Sequence, residues 1–499
     1  MAENLKKSAR TFADEFLDAS SAHFPRSGKV IHDAVWGSIH LKGSEVALLD
    51  TALMQRLRHL HQTAFAFLVY PSARHSRFEH SLGVLRQTDN HLRALRERFP
   101  NIVTEEAVTV LRLAALLHDC SHGMFSHTSE EIYRFLPDVL EFTEPKGEYP
   151  RHNASELIAR FILESPKFRE IIDLCAKNKA PLHTDGQTLA HLITGDYTKT
   201  PAHDAWQVDV INGPLDADKL DYISRDGLHT GLPLSLDLER FWLSTEIQFV
   251  EKGKVKGIEH DQTRLVINRS GITAIEQILF SRFQLTSSVY HHHKIRACDC
   301  FFKTWIEKQQ EDKKFTKAID FVRANDNDFF TQTTMLRRNL PKRVLVLSFE
   351  TLTSKSGANP KSFPDAFLNL MEESNQTPEG SARLREIAME IAKESKVRKE
   401  DRKSIWIDLP PLPKTTGLGN TLVNQGTKDT PNFVLLEEIF PISQWRKMYM
   451  QRSWRGHVFA PPKYVDQVRK NAAAVLEKKI DGLKVRPEAF SFCKLEPPG

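Results

Sequence analysis

The sequence predicts a mainly α protein: an all-helical core interrupted by one small β-hairpin, followed by a smaller α+β lobe. Three observations predict it. From "LLDTALMQRLRHLHQ" to about residue 310 the apolar residues keep a helical period. Within that span only "IQFVEKGKVKGIEHDQTRLVIN" reads as a hairpin, around a charged, glycine-containing turn. After the charged "EKQQEDKKF" the character changes to short strand-like runs between long connectors. A chain of 499 residues is too long for one ordinary domain. The expected division is a lead-in over residues 1–28, a core over 29–310 and an accessory lobe over 311–499.

In order along the chain, the first 25 or so residues read as an amphipathic or loosely ordered lead-in, and "KVIHDAVWGSIHL" as a short strand pair. Leu53, Leu57 and Leu60 then repeat at helical spacing. "TEEAVTVLRLAALLHDC" opens with Thr104, a good N-cap, followed by two acidic residues that suit a helix N-terminus. Its apolar stripe is Ala107, Val110, Leu111, Ala114 and Leu117, and His118, seven after Leu111, continues that buried face. In the last lobe "KRVLVLSFE", "SIWIDLP", "NFVLLEEIF" and "GHVFAPP" read as strands, "KTTGLGNTLVNQGTKDT" as a connector and "YVDQVRKNAAAVLEKKI" as a closing helix. No internal repeat or low-complexity tract occurs.

Composition narrows the partners. A formal net charge of +5 with a pI near 8.7 favours anionic ligands but falls short of a dedicated nucleic-acid-binding chain. No apolar run reaches the length of a membrane span, and "MAENLKKSARTFADEF" lacks the apolar stretch of a secretory signal, so the expectation is a soluble, cytoplasmic chain. Cys120, Cys175, Cys298, Cys300 and Cys493 are odd in number and scattered, which fits a reducing compartment.

Histidine is the informative excess, and most of the 21 fall in the first 300 residues. Candidate ligands stand in "HSRFEHSLG" (His80), "LLHDC" (His118 and Asp119) and "LDADKLDYISRD" (Asp218). Imidazoles and carboxylates together suit a divalent transition metal such as manganese, iron or zinc. A His-Asp pair at a helix end can turn both side chains toward one ion. Taken alone the pair means little, but His118 extends an apolar stripe, where an unpaired ionisable group is costly, and His122 and His127 follow closely. If "DADKLDYISRD" is helical, Asp218, Tyr222 and Asp226 share one slowly turning face. A solvated helix with i,i+4 charge pairs is the plainer account of that segment in isolation.

In order from about residue 29 to 296, "KVIHDAVWGSIHL", "DTALMQRLRHLHQ", "YPSARHSRFEHSLGV", "HDCSHGMFSH", "DADKLDYISRD" and "VYHHHKIRA" resemble the HD-domain phosphohydrolases. Within them the resemblance is to the deoxynucleoside triphosphate triphosphohydrolases, the group of bacterial dGTPases and the mammalian SAM-and-HD-domain protein. It implies an all-helical catalytic core with His80, His118, Asp119 and Asp218 as metal ligands. Magnesium accompanying the substrate triphosphate is also implied. His122, His127 and His152 match histidines around the scissile phosphate, with Glu130 in place of an aspartate. Arg77 and Lys219 match phosphate contacts, Gln62, Tyr222 and Asp226 the sugar contacts, and Arg282 and Tyr290 the lining of the nucleotide pocket. The neighbours differ from the family pattern at Cys120 and Ser121, and at Thr63.

The resemblance further implies a homo-oligomer, dimer or tetramer. A regulatory nucleotide site is partly echoed by Lys29, Val30, Asp50, Arg58, Arg338 and Lys342, whereas His32, Asn268 and Ser270 depart from that pattern. About 28 residues ahead of the core leave no room for a SAM domain. The reaction implied is attack at the α-phosphorus of a dNTP, releasing deoxynucleoside and intact triphosphate. His127, oriented by Glu130, would protonate the departing sugar oxygen, and His122 and His152 would stabilise charge. Two alternatives stay open: a phosphodiesterase or nuclease on the same core, acting on single-stranded nucleic acid or a signalling nucleotide, and a nucleotide- or nucleic-acid-binding protein with a vestigial HD site.

Overall fold

Residues 3–17, 28–150, 152–177, 184–330, 339–355, 363–412, 416–427 and 430–491 are described by the structure, a computed structural model. The fold is mainly α with small sheets. Its chain divides into two units that are not consecutive stretches. The first comprises Met1–Leu285, Lys317–Asp326 and Lys414–Ile442, and the second Thr286–Thr316, Asn327–Pro413 and Ser443–Gly499.

In the first unit the lead-in is an amphipathic helix, Glu3–Phe16. Leu5, Ala9, Phe12 and Ala13, spaced for one face, are fully buried. Phe12 lies under the guanidinium groups of Arg56 and Arg323 at 5.4 and 5.5 Å. The strand pair follows as an antiparallel hairpin, Lys29–Asp33 with Gly37–Leu41. Leu53, Leu57 and Leu60 are buried as their spacing predicts. The backbone there, however, is one short α-helix, Ala52–Gln55, tightened into a 3₁₀ turn at Arg56–His59. Arg56 accounts for the tightening: its guanidinium turns inward to donate to the carbonyls of Cys120, His122 and Val322 at 2.6, 2.8 and 3.1 Å.

Two of the three helices that frame the site are packed together and well capped at their starts. Arg77–Arg98 starts at Ser76 in a capping box with Glu79, and Glu105–Leu117 starts at Thr104, whose hydroxyl accepts from Ala107 N at 3.2 Å. A buried arginine locks them to the helix Gly43–Leu49: Arg112 donates to both oxygens of Glu45 at 2.7 and 2.8 Å and to Asp89 at 2.6 Å. Bidentate geometry and a third partner compensate the desolvation of all three charges. The third framing helix, Ala217–Thr230, is capped by Asp216 and ends at Gly231, whose φ of +72° is the left-handed stop that glycine permits.

The expected hairpin forms from Thr245–Val250 and Gln262–Asn268, and it does not stand alone. Leu422–Asn424, from the segment read as a connector, adds in parallel beside it, and Phe433–Leu435 closes a four-stranded sheet. The apolar residues Val250, Val266 and Leu422 bury one another there. Local alternation identifies a strand, but not the sheet that a distant strand will join.

The second unit holds a three-stranded antiparallel sheet of Lys342–Leu347, Gly456–Ala460 and Trp406–Asp408, plus the pair Leu483–Val485 with Leu352–Ser354. The closing helix runs from Val465 to Lys479. Among the described residues no helix is long and apolar enough to cross a membrane.

Candidate metal centre and active site

His80 lies one turn into the helix Arg77–Arg98 and is fully buried. Its Nδ1 donates to Asp221 Oδ2 at 2.7 Å, which leaves Nε2 as the atom that faces Asp218 Oδ1 at 2.9 Å and Asp119 Oδ2 at 3.5 Å. His118 is the C-cap residue of Glu105–Leu117, where the helix ends and lets Asp119 turn the same way. Its Nδ1 donates to the Ala115 carbonyl at 2.8 Å, and its Nε2 stands 3.4 Å from Asp119 Oδ1 and 3.8 Å from Asp218 Oδ1. Four side chains from three helices thus meet at one point.

The donor set fits a divalent cation. In both rings Nδ1 is engaged by an acceptor, so Nε2 is left to face the carboxylates, and both Nε2 atoms are buried without a hydrogen bond of regular geometry among the described residues. Two such nitrogens beside two carboxylates are what a borderline or hard cation requires. Burial opposes charge on His80, yet Asp218, Asp221 and Asp119 prevail and push its pKa up to about 10. Without a cation, this pocket draws a proton to fill the same role. Burial also opposes ionisation of Asp119 and Asp218. Arg77 and the neighbouring histidines hold Asp119 well below the usual range, and His80 does the same for Asp218.

A second group follows in the loop. His122 Nε2 lies 3.1 Å from Asp119 Oδ1, and burial and the Arg77 charge push its pKa down to about 4. His122 is therefore neutral at neutral pH and offers hydrogen bonding rather than charge. His127 is mostly exposed, and its Nδ1 donates to Glu130 Oε2 at 3.1 Å. Glu130 is anchored by Ser155, whose amide and hydroxyl donate to Oε1 at 3.1 and 2.7 Å. Burial opposes its ionisation, but hydrogen bonds and charges from His127, His122 and Ser155 keep it an anion. His122 and His127 meet edge to face at 5.2 Å. His152 is half-buried, with both ring nitrogens unpartnered among the described residues and its edge on Tyr149 at 5.3 Å.

Arg77 pairs with Asp119 through Nη1 and donates from Nε to Ser126 Oγ at 2.8 Å, while its buried Nη2 has no partner among the described residues. Lys219 Nζ is tied to the Gly213 carbonyl at 3.0 Å and to Asp216 at 2.5 Å. Gln62 presents a buried Oε1 without a partner among the described residues. Tyr222 is raised in pKa by burial and feels the charges of Arg282 and Lys219, so Arg282 belongs to the same neighbourhood. Asp226 accepts from His75 Nε2 at 2.8 Å. Tyr290 belongs to the second unit, as does Lys342.

Of the other residues expected at a regulatory site, Lys29 pairs with Asp50 at 2.8 Å, Val30 is exposed, and Arg58 lies over the Phe78 ring at 3.5 Å. Arg338 falls outside the described residues.

Residues 77–204 match the family described as HD domain, and residues 255–486 match the HD associated region. The metal cluster therefore falls largely within a stretch that matches the HD-domain family. It is 28% identical over 455 residues to an uncharacterized protein of Methanocaldococcus jannaschii, covering 89% of this chain and 81% of that one. It is 30% identical over 253 residues to deoxynucleoside triphosphate triphosphohydrolase SAMHD1 of Danio rerio, covering 47% of this chain and 38% of that protein. For the Homo sapiens SAMHD1 the figures are 29% over 229 residues, 43% and 35%. The chain thus spans less than half the length of the SAMHD1 proteins it matches. A crystal structure of a hypothetical protein from Aquifex aeolicus shares the fold, with a TM-score of 0.58, 21% identity and coverage of 89% of this chain and 99% of that one.

The HD match includes His80, His118 and Asp119 but ends before Asp218, which the fold brings to within 2.9 Å of His80 Nε2. Several supporting residues escaped the sequence reading. Asp221, which orients His80, is held by Arg225 at 2.9 Å and by Trp36 Nε1 at 2.5 Å, and Arg225 in turn by Asp33 at 2.9 Å. The i,i+4 spacing of Asp221 and Arg225 was the available signal. Asp326 fixes the HD loop by accepting from Phe125 N at 2.7 Å and from His61 N at 2.7 Å. That hold explains how Phe125 and Ser126 sustain φ values of +51° and +52°. Nothing in the local sequence of Asp326 announces the role.

Proposed function

We propose that this protein hydrolyses deoxynucleoside triphosphates to deoxynucleoside and inorganic triphosphate, with a divalent cation held by His80, His118, Asp119 and Asp218. The observation that carries the proposal is the meeting of those four side chains next to an arginine with an uncommitted Nη2 and a histidine-carboxylate pair. The likeness to SAMHD1 supplies the substrate class.

When bound, the cation supplies an activated water and neutralises phosphoryl charge. Arg77, anchored through Nη1 and Nε, offers Nη2 to a phosphate oxygen without further reorganisation. His127, reachable from solvent and oriented by the Glu130 carboxylate, delivers a proton to the departing sugar oxygen. Neutral His122 positions a phosphate oxygen or water by hydrogen bonding, while Gln62, Tyr222 and Asp226 bind the sugar.

The test is incubation of metal-loaded protein with each dNTP, alone and in mixture, with product identification. Deoxynucleoside and intact triphosphate in equal amounts support the proposal. Pyrophosphate and a monophosphate, or mononucleotides from a single-stranded oligomer but no turnover of dNTPs, contradict it.

A further inference from the structure

We infer that His75 is a positioning residue that sets both sugar-recognising groups at once, Asp226 through its side chain and Gln62 through its backbone; the inference rests on the proposal that these two residues face the sugar. His75 is buried one position before the Ser76 N-cap of the helix that carries Arg77 and His80. Its carbonyl accepts from Gln62 N at 3.0 Å, beside the bridge between His61 and Ser76. Its Nε2 donates to Asp226 Oδ1 at 2.8 Å. The ring is held face to face with His229 at 4.5 Å and 26°, and His229 is itself fixed by donating from Nδ1 to the Ser72 carbonyl at 3.2 Å.

With Oδ1 bound, the plane of the Asp226 carboxylate is set. With its amide bound, Gln62 is set in register against the same residue, and its buried Oε1 lacks a donor. Two acceptors fixed by one residue are suited to a ligand that brings a hydroxyl donor, as a sugar does. An imidazole stacked on a second ring gives that alignment more rigidity than a flexible amine or amide could. The connection joins the sugar side of the site to the first turn of the metal-bearing helix, so a shift in one carries into the other.

The test compares His75→Leu and His75→Gln with the wild type on a dNTP that the protein turns over and on its 2′,3′-dideoxy counterpart, metal content being measured for each. His75→Leu removes the donor, whereas glutamine restores an N–H near the position of Nε2. The inference expects His75→Leu to lose about 10- to 100-fold in kcat/KM on the dNTP, the scale of a hydrogen bond to a charged group. It expects wild type and His75→Leu to agree within about twofold on the dideoxy nucleotide, where the sugar hydroxyl is missing, and His75→Gln to recover most of the loss. Equal losses on both nucleotides, or no loss on the dNTP, overturn it. Asp226→Ala separates the two levels. If that variant collapses the dNTP preference and His75→Leu does not, the positioning role alone is wrong. If Asp226→Ala leaves the preference unchanged, or neither nucleotide is turned over, the sugar assignment fails and the inference with it.

Discussion

Two histidine-rich stretches invite the same first interpretation and have opposite surroundings. "HDCSHGMFSH" puts its imidazoles among carboxylates: Asp119, Asp218 and Glu130 all lie within ion-pair distance of one of its histidine nitrogens. "YHHHK" puts its imidazoles among cations. His293 is pushed down to about 3 by burial, the Arg343 charge, His292 and Lys294, and the fully buried His457 is also lowered by burial and Arg343. His293 and His457 meet edge to face at 6.4 Å and the tilted rings of His292 and His293 lie 4.6 Å apart, and among the described residues the charges that lower all three are cationic. Counting histidines therefore says little about metal binding; the charge of the neighbours decides.

The comparison can be broken at its strongest point first. His118→Ala should reduce triphosphate release to background, whereas His293→Ala should leave the rate per bound metal near the wild-type value; steady-state assays on both variants check this. A smaller effect is expected at His127. His127→Ala should lower kcat by about 10²- to 10⁴-fold, as loss of a general acid does, with metal content unchanged. A drop in metal content in step with kcat would instead make His127 a ligand. Smaller again is the effect of Asp221→Asn, which keeps the shape but weakens the anchor of His80. About 10- to 100-fold weaker metal affinity is expected in competition with a chelator, the usual scale for a residue that orients a ligand.

The smallest effect concerns pH and sharpens the contrast in sign. His293 has a folded pKa of about 3 against an unfolded value of 6.5, so the unfolded chain takes up the proton first. Its contribution to stability is full above about 6.5 and declines as pH falls toward 3. His80 in metal-free protein runs the other way: its contribution is full below about 6.5 and is lost as pH rises toward about 10. In thermal melts between pH 4 and 8 the stability of wild type relative to His293→Gln should therefore fall as the pH falls, and a relative stability that rose with acidity would refute the assignment.

Much of the first unit was legible because local rules govern it. Thr104 caps a helix where Ser/Thr patterning places one, the apolar stripe through Leu117 is buried, and His118 continues it. The order of motifs also named Asp218, which stands 2.9 Å from His80 Nε2. What stayed hidden depends on distant pairing. The four-stranded sheet needs Leu422–Asn424 from beyond the second unit's first segments, and Asp326 reaches the HD loop from about 200 residues away in sequence. Charge around "YHHHK" was equally invisible, since Arg343 has no periodic relation to it. Periodicity reports which face is buried; it does not report the charge of what buries it.

Direct elemental analysis of the purified chain, beside Asp218→Ala at equal concentration, weighs the main idea without any assumption about substrate. About one transition-metal ion per chain in the wild type, falling to trace levels in the variant while the fold by circular dichroism is kept, is the predicted result. Undiminished metal in Asp218→Ala, or none in a catalytically competent wild type, would contradict it.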